Sequence, residues 1–318
     1  MKRISWLAAA CMAGWGVARL AGADRCRRIE APAAPLLSFT PHVTAAALLG
    51  PLLLRRKGAA ATAALTGTAL AAAVLPRAIR QPQPLAGGPA LRVLTANLMH
   101  GRAAEDAIVS LVRRKGADVL FLQELTEVAV NRLKQAGLTD LLPHEMIDVR
   151  GDSARGSGIY ARFPLGNGLS IAPVSVAQPT ARLELPGGQR ADLICVHPHP
   201  PKPPWSRRNV ARWRGELTVL PPPADPAADP PRVLAGDFNA TADHAHFRDL
   251  LRLGHVDAAR EMGKGLVPTW APSPWGSPGL LTIDHVLVDP RCAVLAASVH
   301  PLPGSDHQAV YAEFRLPG

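Results

Sequence analysis

Apolar residues follow two different patterns along the chain, and the change falls near residue 85. Before it, three long runs carry almost no charge and are separated by clusters of Arg and Lys, at 4–18, 36–54 and 59–75. After it, short apolar runs alternate with segments of helical periodicity. The first pattern is typical of membrane helices, and the second predicts a domain in which helices cover buried strands.

The second part of the chain predicts two helices and a series of strands. The helix at 103–115 has Ile108, Leu111 and Val112 on one face, and a second helix at 126–136 begins at Thr126. The predicted strands lie at 92–96, 119–122, 157–161, 181–185, 192–196, 232–235, 282–288, 294–299 and 308–314.

The apolar runs predict a membrane region at 1–76 with three transmembrane helices, since a spanning helix needs roughly 20 apolar residues. The first run is short and ends beside Arg19, so a signal peptide is an alternative, as are fewer spans or a buried Ala-rich hairpin. Residues 77–89, rich in Pro, Gln and Gly, predict an extended tether to a catalytic domain at 90–318. We therefore expect truncation before residue 88 to leave a soluble, active fragment.

The net charge of +10 is concentrated in the membrane region. Residues 1–89 hold eleven basic residues against two acidic ones (+9), so the remainder holds 24 basic and 23 acidic residues (+1). The high isoelectric point is therefore no indication of a nucleic-acid surface on the second unit.

Membrane orientation is not decided by charge, because five basic residues fall on each side of three spans. With the N-terminus inside, the inner set is Lys2, Arg3, Arg55, Arg56 and Lys57, and the outer set is Arg25, Arg27, Arg28, Arg77 and Arg80. Three spans from an inside N-terminus predict a membrane protein with an extracytoplasmic catalytic domain.

Polar side chains follow four apolar runs of the second unit where the predicted strands end. They are Asn97, Glu124, His197, and Asp237 with Asn239. A later set consists of Asp284, His285, Asp306 and His307. Because a buried strand carries its last residue to the rim of the sheet, these side chains are expected to meet in one pocket. Carboxylates, amides and imidazoles together are the groups of a metal-assisted phosphoester hydrolase.

In this order, the motifs resemble the signature of the endonuclease/exonuclease/phosphatase superfamily, which has the DNase I-like fold. The motifs that carry the resemblance are Asn97, Gln123-Glu124, Gly236-Asp237-Phe238-Asn239, Ile283-Asp284-His285 and Ser305-Asp306-His307. Each is weak alone, but their joint occurrence over 91–316 is specific. The resemblance implies an α+β fold, a four-layer α/β/β/α sandwich of two mixed sheets, here preceded by N-terminal transmembrane helices.

The resemblance also implies a metal site for Mg²⁺, with Mn²⁺ as an alternative. Glu124 resembles the principal ligand, and Asp306 a second or water-mediated one. Asn97 would place the metal or the scissile phosphate. A hard cation prefers carboxylate oxygen and keeps several waters, so one or two protein carboxylates suffice. Met99 stands where the family often has an acidic residue, which makes a second metal less expected.

Catalytic roles follow by the same resemblance. Asp237 would orient or deprotonate the attacking water, and Asn239 would donate to a phosphate oxygen. His307, paired with Asp284, would act in acid/base transfer or stabilise the pentavalent phosphorus. His197 would contact the phosphate or protonate the leaving oxygen. His285 is expected to be structural, because it points to the opposite face of the strand from Asp284.

Substrate contacts are predicted at two places. Arg207 and Arg208 follow His197 in a segment that mixes cations with tryptophans, and Trp270 lies on a second rim loop. For the arginines, the alternative is an amphipathic helix whose tryptophans pack inward and whose cations are solvated.

The sequence therefore predicts a membrane-anchored, Mg²⁺-dependent phosphodiesterase, with nuclease activity as its leading form. The alternatives are a phosphomonoesterase, a phosphodiesterase of phospholipid headgroups, and a non-catalytic membrane scaffold. The predicted partners are the phosphoester substrate (nucleic acid, phospholipid or small ester) and the membrane, and no protein partner is indicated.

Overall fold

Helices make up most of the N-terminal region. The structure, a computed structural model, describes residues 2–149, 151, 153–171, 174–201, 206–227, 229–273 and 279–318. Its first helices are α1 (Lys2–Ala21), α2 (Glu30–Leu37), α3 (Thr40–Leu53) and α4 (Lys57–Val74).

Two of these helical segments, Arg3–Ala21 and Lys57–Ala78, are long and apolar enough to cross a membrane. The 20 residues of α1 make a helix of about 30 Å, close to the thickness of the hydrocarbon core. Helices α2 and α3 meet at a bend of 72° and count as a third span only if they are taken together. The three spans therefore remain a prediction. Two of the helical segments have the required length.

The remainder of the described chain alternates strands and helices. Its elements are β1 (Ala90–Asn97), α5 (Glu105–Lys115), β2 (Val119–Gln123), α6 (Glu127–Gln135), α7 (Leu138–Leu141), β3 (His144–Asp148), β4 (Ser157–Ala161), β5 (Leu165–Asn167), β6 (Thr180–Glu184), β7 (Arg190–Val196), α8 (Arg207–Thr218), β8 (Arg232–Asp237), α9 (Ala245–Arg252), β9 (Val256–Asp257), α10 (Ala258–Glu261), β10 (Asp284–Val288), β11 (Ala293–His300) and β12 (Ala309–Arg315). The strands β3, β5 and β9 were not predicted. They are short edge strands without a run of buried apolar residues.

The strands form two six-stranded sheets. Their orders are β11-β12-β1-β2-β4-β3 and β5-β6-β7-β8-β10-β9. Near the middle of each sheet lies one parallel pair, β1 with β2 and β7 with β8, and the other pairs are antiparallel. Both sheets are therefore mixed, as the resemblance implied.

Alternation along the strands divides the core into layers. In β1, Leu91 and Val93 pack between the two sheets, whereas Leu94 and Ala96 pack against the helices outside. Both faces of the central strands are buried, which explains their nearly continuous apolar runs. Helices α5 to α7 cover the first sheet, and α8 with α9 cover the second. The predicted four-layer α/β/β/α sandwich is confirmed.

Part of the N-terminal region belongs to the helix layer over the second sheet. Ala31 and Ala34 of α2 lie in the same buried cluster as Trp213 of α8 and Phe238 after β8. The side chain of Glu30 forms an ion pair with Arg214. Helix α2, which was predicted to belong to a separate membrane region, thus shares a core with the second unit.

Residues 77 and 78 end a 3-10 helix (Leu75–Ala78), and the segment that follows, up to residue 89, is not a free tether. The Gln81 amide donates to the Glu261 carbonyl at 2.8 Å, and Gln83 Nε2 donates to the Glu261 carboxylate at 3.1 Å. The Val294 amide in turn donates to Gln83 Oε1 at 2.8 Å. The division at 77–89 stays a prediction, and in the structure its glutamines satisfy polar groups along the domain surface.

Gly236 lies next to the end of β8. Its replacement should strain the parallel pair of β7 and β8 near the site. Its φ is +154°, and an added Cβ would overlap the backbone of Val196 in β7. We expect Gly236→Ala to cost about 1–3 kcal/mol of stability through overpacking, seen as a lower midpoint of thermal unfolding in detergent. Gly215→Ala, on the exposed face of α8 with open space around it, should instead stabilise by about 0.5–1 kcal/mol. An unchanged midpoint for Gly236→Ala would contradict this account.

Candidate active site

The ends of four strands project polar side chains into the space between the sheets. Asn97 continues the inward-facing positions Leu91 and Val93 of β1, and Asp237 continues Val233 and Ala235 of β8. Asn97 Nδ2 donates to Asp237 Oδ2 at 3.0 Å, which links the two sheets at their rim. The strand ends thus meet as the sequence predicted.

Glu124 follows β2 and is held beside Asn97. Asn97 Nδ2 lies 3.4 Å from Glu124 Oε1, and the His100 amide donates to Glu124 Oε2 at 2.8 Å. The backbone of Glu124 is left-handed, with φ +53°. A residue other than glycine in this region costs about 1–3 kcal/mol. Such strain is typical of functional sites, and here it accompanies a carboxylate that lines the cleft.

Asp284 and His307 form a buried pair. Nδ1 of His307 lies 2.9 Å from Asp284 Oδ2, so Nδ1 carries the proton and Nε2 faces the cleft. Thr269 Oγ1 accepts from the Asp284 amide at 3.0 Å. Ser305 Oγ accepts from the His307 amide at 3.0 Å and donates to the Asn97 carbonyl at 2.8 Å. The pair is therefore fixed by backbone bonds on both sides.

The electrostatics of the site centre on Asp237, which stands opposite Asp284 in the strand register. Burial raises the pKa of Asp237 above its ordinary value, although the charge of His307 opposes the shift. Burial would lower the pKa of His307, but the charges of Asp284 and Asp237 outweigh it and raise the pKa to about 10. His307 is therefore a cation at neutral pH, with Nε2 at 3.7 Å from Asp237 Oδ2.

His197 follows β7 and is also buried beside the site. Burial lowers its pKa to about 4, so the imidazole is neutral at physiological pH. Its Nδ1 has no hydrogen-bond partner among the described residues. Because an unpaired buried polar atom is costly, this nitrogen is an unsatisfied group beside the site.

The loop after β8 and the rim loop complete the polar wall. The Asn239 amide donates to Asp237 Oδ1 at 2.8 Å, and Asn239 Nδ2 donates to the Pro198 carbonyl at 3.0 Å. Trp270 Nε1 donates to Asp306 Oδ2 at 3.0 Å. Asp306 thus has one oxygen engaged by Trp270 and lies at the edge of the site.

The donor set of the site fits a hard divalent cation. Oxygen or nitrogen atoms of Asp237, Asp284 and His307 all lie within 4.8 Å of one another, and the Glu124 carboxylate lines the same cleft. Three carboxylates face a single imidazolium, so negative charge is in excess. Carboxylate and amide oxygens are the ligands that Mg²⁺ and Mn²⁺ prefer.

These groups open into a cleft of about 340 Å³. Its polar wall consists of Glu124, Asp237, Asn239, Trp270, Asp306 and His307. The rest of the described lining is Pro35, Ser38, Phe39, Pro200, Pro201, Leu281 and Ile283. The cleft therefore collects predicted residues from both sheets, whereas Asn97, His197 and Asp284 are not among its described lining residues.

Arg207 and Arg208 are not among the described residues that line this cleft. Both are exposed in the first turn of α8, where Arg207 Nη2 lies 3.5 Å from the Arg28 carbonyl. The alternative given from the sequence, an amphipathic helix, explains this position. Trp213 faces inward and is fully buried, and the arginines on the other face lie in solvent.

The sequence missed the contribution of the N-terminal helices to the cleft. Pro35, Ser38 and Phe39 were assigned to the membrane region or its edge. No motif marks a contact between segments so far apart in sequence. The one available signal was Arg19, a cation beside an apolar run, which the structure pairs with Asp243.

Residues 94–307, more than half of the chain, match the Endonuclease/Exonuclease/phosphatase family. No curated protein matches the chain.

Solved structures with similar folds include the endonuclease/exonuclease/phosphatase from Beutenbergia cavernae DSM 12333, at TM-score 0.56 and 20% identity over 72% of each chain. A humanized D. rerio TDP2 with 14 mutations has TM-score 0.55 and 18% identity, covering 71% of this chain and 99% of that one. D. rerio TDP2 complexed with single strand DNA product has TM-score 0.51 and 17% identity, covering 71% and 99%. At these identities the likeness establishes the fold.

Proposed function

The chain belongs to the Endonuclease/Exonuclease/phosphatase family, and from this premise we propose that it is a membrane-anchored, Mg²⁺-dependent phosphodiester hydrolase. Members of the family are phosphoester hydrolases, and they usually use a divalent metal. The observation that carries the proposal is a chain of contacts across the site: Asn97 donates to Asp237, Asp237 lies 3.7 Å from His307 Nε2 as an ion pair, and His307 Nδ1 is paired with Asp284. A scaffold without catalysis would leave this buried and strained arrangement without a use.

Glu124, Asp306 and the amide oxygen of Asn97 would hold the cation, with Mn²⁺ as an alternative to Mg²⁺. When bound, the ion polarises the phosphoryl group and neutralises its charge. The carboxylates are suited to this because nearby donors hold them without neutralising them. Donor atoms of Asp237, Asp284 and His307 also lie close enough together to hold an ion. We assign this group to catalysis and not to the metal, since Asp284 pairs with Nδ1 of His307 and a cationic imidazole has no lone pair to offer a metal.

The side chains around the cleft divide the remaining work. Asp237, held by Asn97 Nδ2 and the Asn239 amide, orients the attacking water and accepts its proton, for which a raised pKa is favourable. The His307 imidazolium stabilises charge on the phosphoryl oxygens. His197 is neutral and has an unpaired nitrogen, and it contacts a phosphate oxygen on the side of the leaving group.

We propose that α1 and α4 anchor the protein, and we keep the division into 1–76, 77–89 and 90–318 as part of this proposal. The orientation that we propose rests on which cations are paired. On the domain side, Arg25 and Arg77 form ion pairs with Asp249 and Asp243. The turn between α3 and α4 keeps its basic residues 55–57 at the far end. Positive loops remain in the cytoplasm, so the catalytic domain is extracytoplasmic.

Glu124→Gln should raise the Mg²⁺ concentration required for half-maximal activity by at least about tenfold. An amide carries no charge for the cation, and even outer-shell changes at metal sites cost 10–100-fold in affinity or activity, roughly. Phosphodiester hydrolysis by the full chain in detergent, titrated with Mg²⁺ after treatment with a chelator, measures the effect. Glu127→Gln, the same change on an exposed residue of α6, is the control. Equal Mg²⁺ curves for both variants would remove Glu124 from the metal site.

The alternatives are tested in the same assay. Plasmid DNA, a chromogenic phosphodiester and a chromogenic phosphomonoester are offered to the full chain with and without Mg²⁺. Cleavage of the phosphodiester supports the proposal, and nicking of DNA would identify the nuclease form. Cleavage of the monoester alone would make the protein a phosphatase. No turnover of any substrate would contradict an enzymatic function.

A further inference from the structure

One wall of the catalytic cleft is built by the N-terminal helices. Pro35 and Phe39, at the bend between α2 and α3, line the same cleft as Asp237 and His307. Both are only half-buried, so their apolar surfaces are open to the cleft. A substrate whose phosphorus lies against the catalytic groups therefore extends past an apolar surface that belongs to the membrane region.

This wall is fixed to the catalytic domain by buried charges. Asp243 lies 2.6 Å from Arg19 Nε at the end of α1 and 2.6 Å from Arg77 Nη2 after α4. Nε2 of His244 lies 2.6 Å from the Ala34 carbonyl in α2. Three separate N-terminal elements are therefore bound to the loop that holds Asp243 and His244, and this fixes the bend in the wall of the cleft.

The bend also lies at the edge of the membrane region. Helices α1 and α4 both reach the domain at their C-terminal ends, through Arg19 and Arg77. Their apolar side chains and those of α3 remain exposed along their length, with Leu7 66%, Leu52 82% and Leu65 75% accessible. Such a surface is suited to lipid. The cleft therefore opens where the helices leave the bilayer, at the level of the headgroups.

From this placement we propose that the site hydrolyses a phosphodiester that carries a long apolar chain, taken directly from the bilayer, and that Pro35 and Phe39 contact that chain. The inference rests on the proposed function and names its substrate class. A nucleic acid would need cations along the cleft, but Arg207 and Arg208 lie elsewhere and residues 90–318 carry 24 basic against 23 acidic residues. Trp270 is the kind of side chain found at membrane interfaces.

The test uses substrates that differ only in the chain. The full-length protein is reconstituted in vesicles of digalactosyldiacylglycerol, a lipid without phosphate, and is given 4-nitrophenyl phosphodiesters whose second alcohol is methanol, hexadecanol or the 5′-hydroxyl of thymidine. The leaving group is the same throughout, so the rates compare binding of the second group. We expect kcat/KM for the hexadecyl ester to exceed that for the methyl and thymidine esters by at least about tenfold, as burial of a long chain implies.

Phe39→Ala separates contact with the chain from simple partition into the vesicle. This variant should reduce the ratio of hexadecyl to methyl turnover by about tenfold. Leu52→Ala, which removes an exposed leucine near the far end of α3, should leave the ratio unchanged. Should Phe39→Ala fail to fold, the chain dependence of the unmodified protein still decides.

The outcomes distinguish the two proposals. Turnover of the methyl ester with no preference for the hexadecyl ester overturns the inference and leaves the phosphodiesterase intact. A preference for the thymidine ester does the same and indicates a nucleotide substrate. An unchanged ratio in Phe39→Ala removes the bend from substrate contact. No hydrolysis of any of the esters overturns both proposals together.

Discussion

Replacing His307 by Asn should lower kcat for phosphodiester hydrolysis by about 10²–10³, the usual size of an electrostatic contribution to the transition state. The imidazolium is the one cation that faces Asp237 among the described residues of the cleft wall, at 3.7 Å from Nε2 to Oδ2. Asn keeps a polar side chain but has no charge to offer the phosphoryl oxygens. Binding of the substrate ground state depends on this charge less than the transition state does, so kcat should fall more than KM rises.

The control for His307 is His144→Asn, the same change at the start of β3 and outside the cleft. It should keep the activity of the unmodified protein. Thermal unfolding of both variants establishes whether the fold persists, since the His307 amide and ring also hold Ser305 and Asp284. Activity within about threefold of normal in a folded His307→Asn protein would exclude His307 from the proposed mechanism, which assigns it a larger share.

Replacing Asp243 by Ala should destabilise the protein by about 3–5 kcal/mol, the cost of removing one partner from a buried ion pair. Asp243 is fully buried, and both guanidinium groups that it binds, those of Arg19 and Arg77, are only 6% exposed. The buried carboxyl keeps its charge: burial would raise its pKa, but hydrogen bonds and charge from the two arginines lower it below the ordinary value. Without it, two cations remain between the helices and the second sheet.

Asp249→Ala provides the matched control. Asp249 also pairs with an arginine of the N-terminal region, Arg25, but its side chain is 46% exposed and that of Arg25 is 39% exposed. An exposed pair contributes at most about 1 kcal/mol. Unfolding by denaturant in one detergent compares the two variants. The ion pairs of Asp243 with Arg19 and Arg77 form what we call the Asp243 cluster. Equal losses of stability in Asp243→Ala and Asp249→Ala would mean that this cluster contributes no more than a surface contact.

The Asp243 cluster also changes the expectation for a fragment that begins at residue 88. The sequence predicted that such a fragment would be soluble and active. The fragment lacks Arg19 and Arg77, so Asp243 loses the two guanidinium groups that bind its carboxylate. It also lacks α2, which covers the apolar cluster around Trp213. The cleft also loses Pro35 and Phe39. We therefore expect the full chain, and not the fragment, to be the active unit.

Prediction from sequence succeeded for strands whose run of apolar residues follows directly from their burial. The strand at 157–161 was predicted with the bounds of β4, since both faces of a central strand are buried and its apolar run ends where burial ends. It failed for β3 at His144–Asp148, which lies at the edge of the first sheet and mixes charged with half-buried residues. An edge strand is held by its neighbour's hydrogen bonds, which its own sequence does not encode.

The same contrast applies to the site. Alternation along β10 places Asp284 on the inner face and His285 on the outer one, where His285 Nδ1 lies 2.9 Å from Asp257 Oδ2. Asn97, His197 and Asp237 likewise continue the inward positions of their strands. The sequence alone therefore determined the strand ends and the chemical groups that meet there, because side-chain period is a local property. The fold family followed from the resemblance of its motifs, in their order along the chain, to those of the superfamily.

Only the tertiary structure decided what closes the site. Arg19 and Asp243 are 224 residues apart in sequence, and the bend at Pro35 and Phe39 reaches the cleft through packing on α8 and α9. Composition described these N-terminal residues as an anchor, since an apolar helix has the same sequence pattern whether it contacts lipid or protein. Burial of one charged cluster, a non-local property, places the bend between these helices in the wall of the cleft.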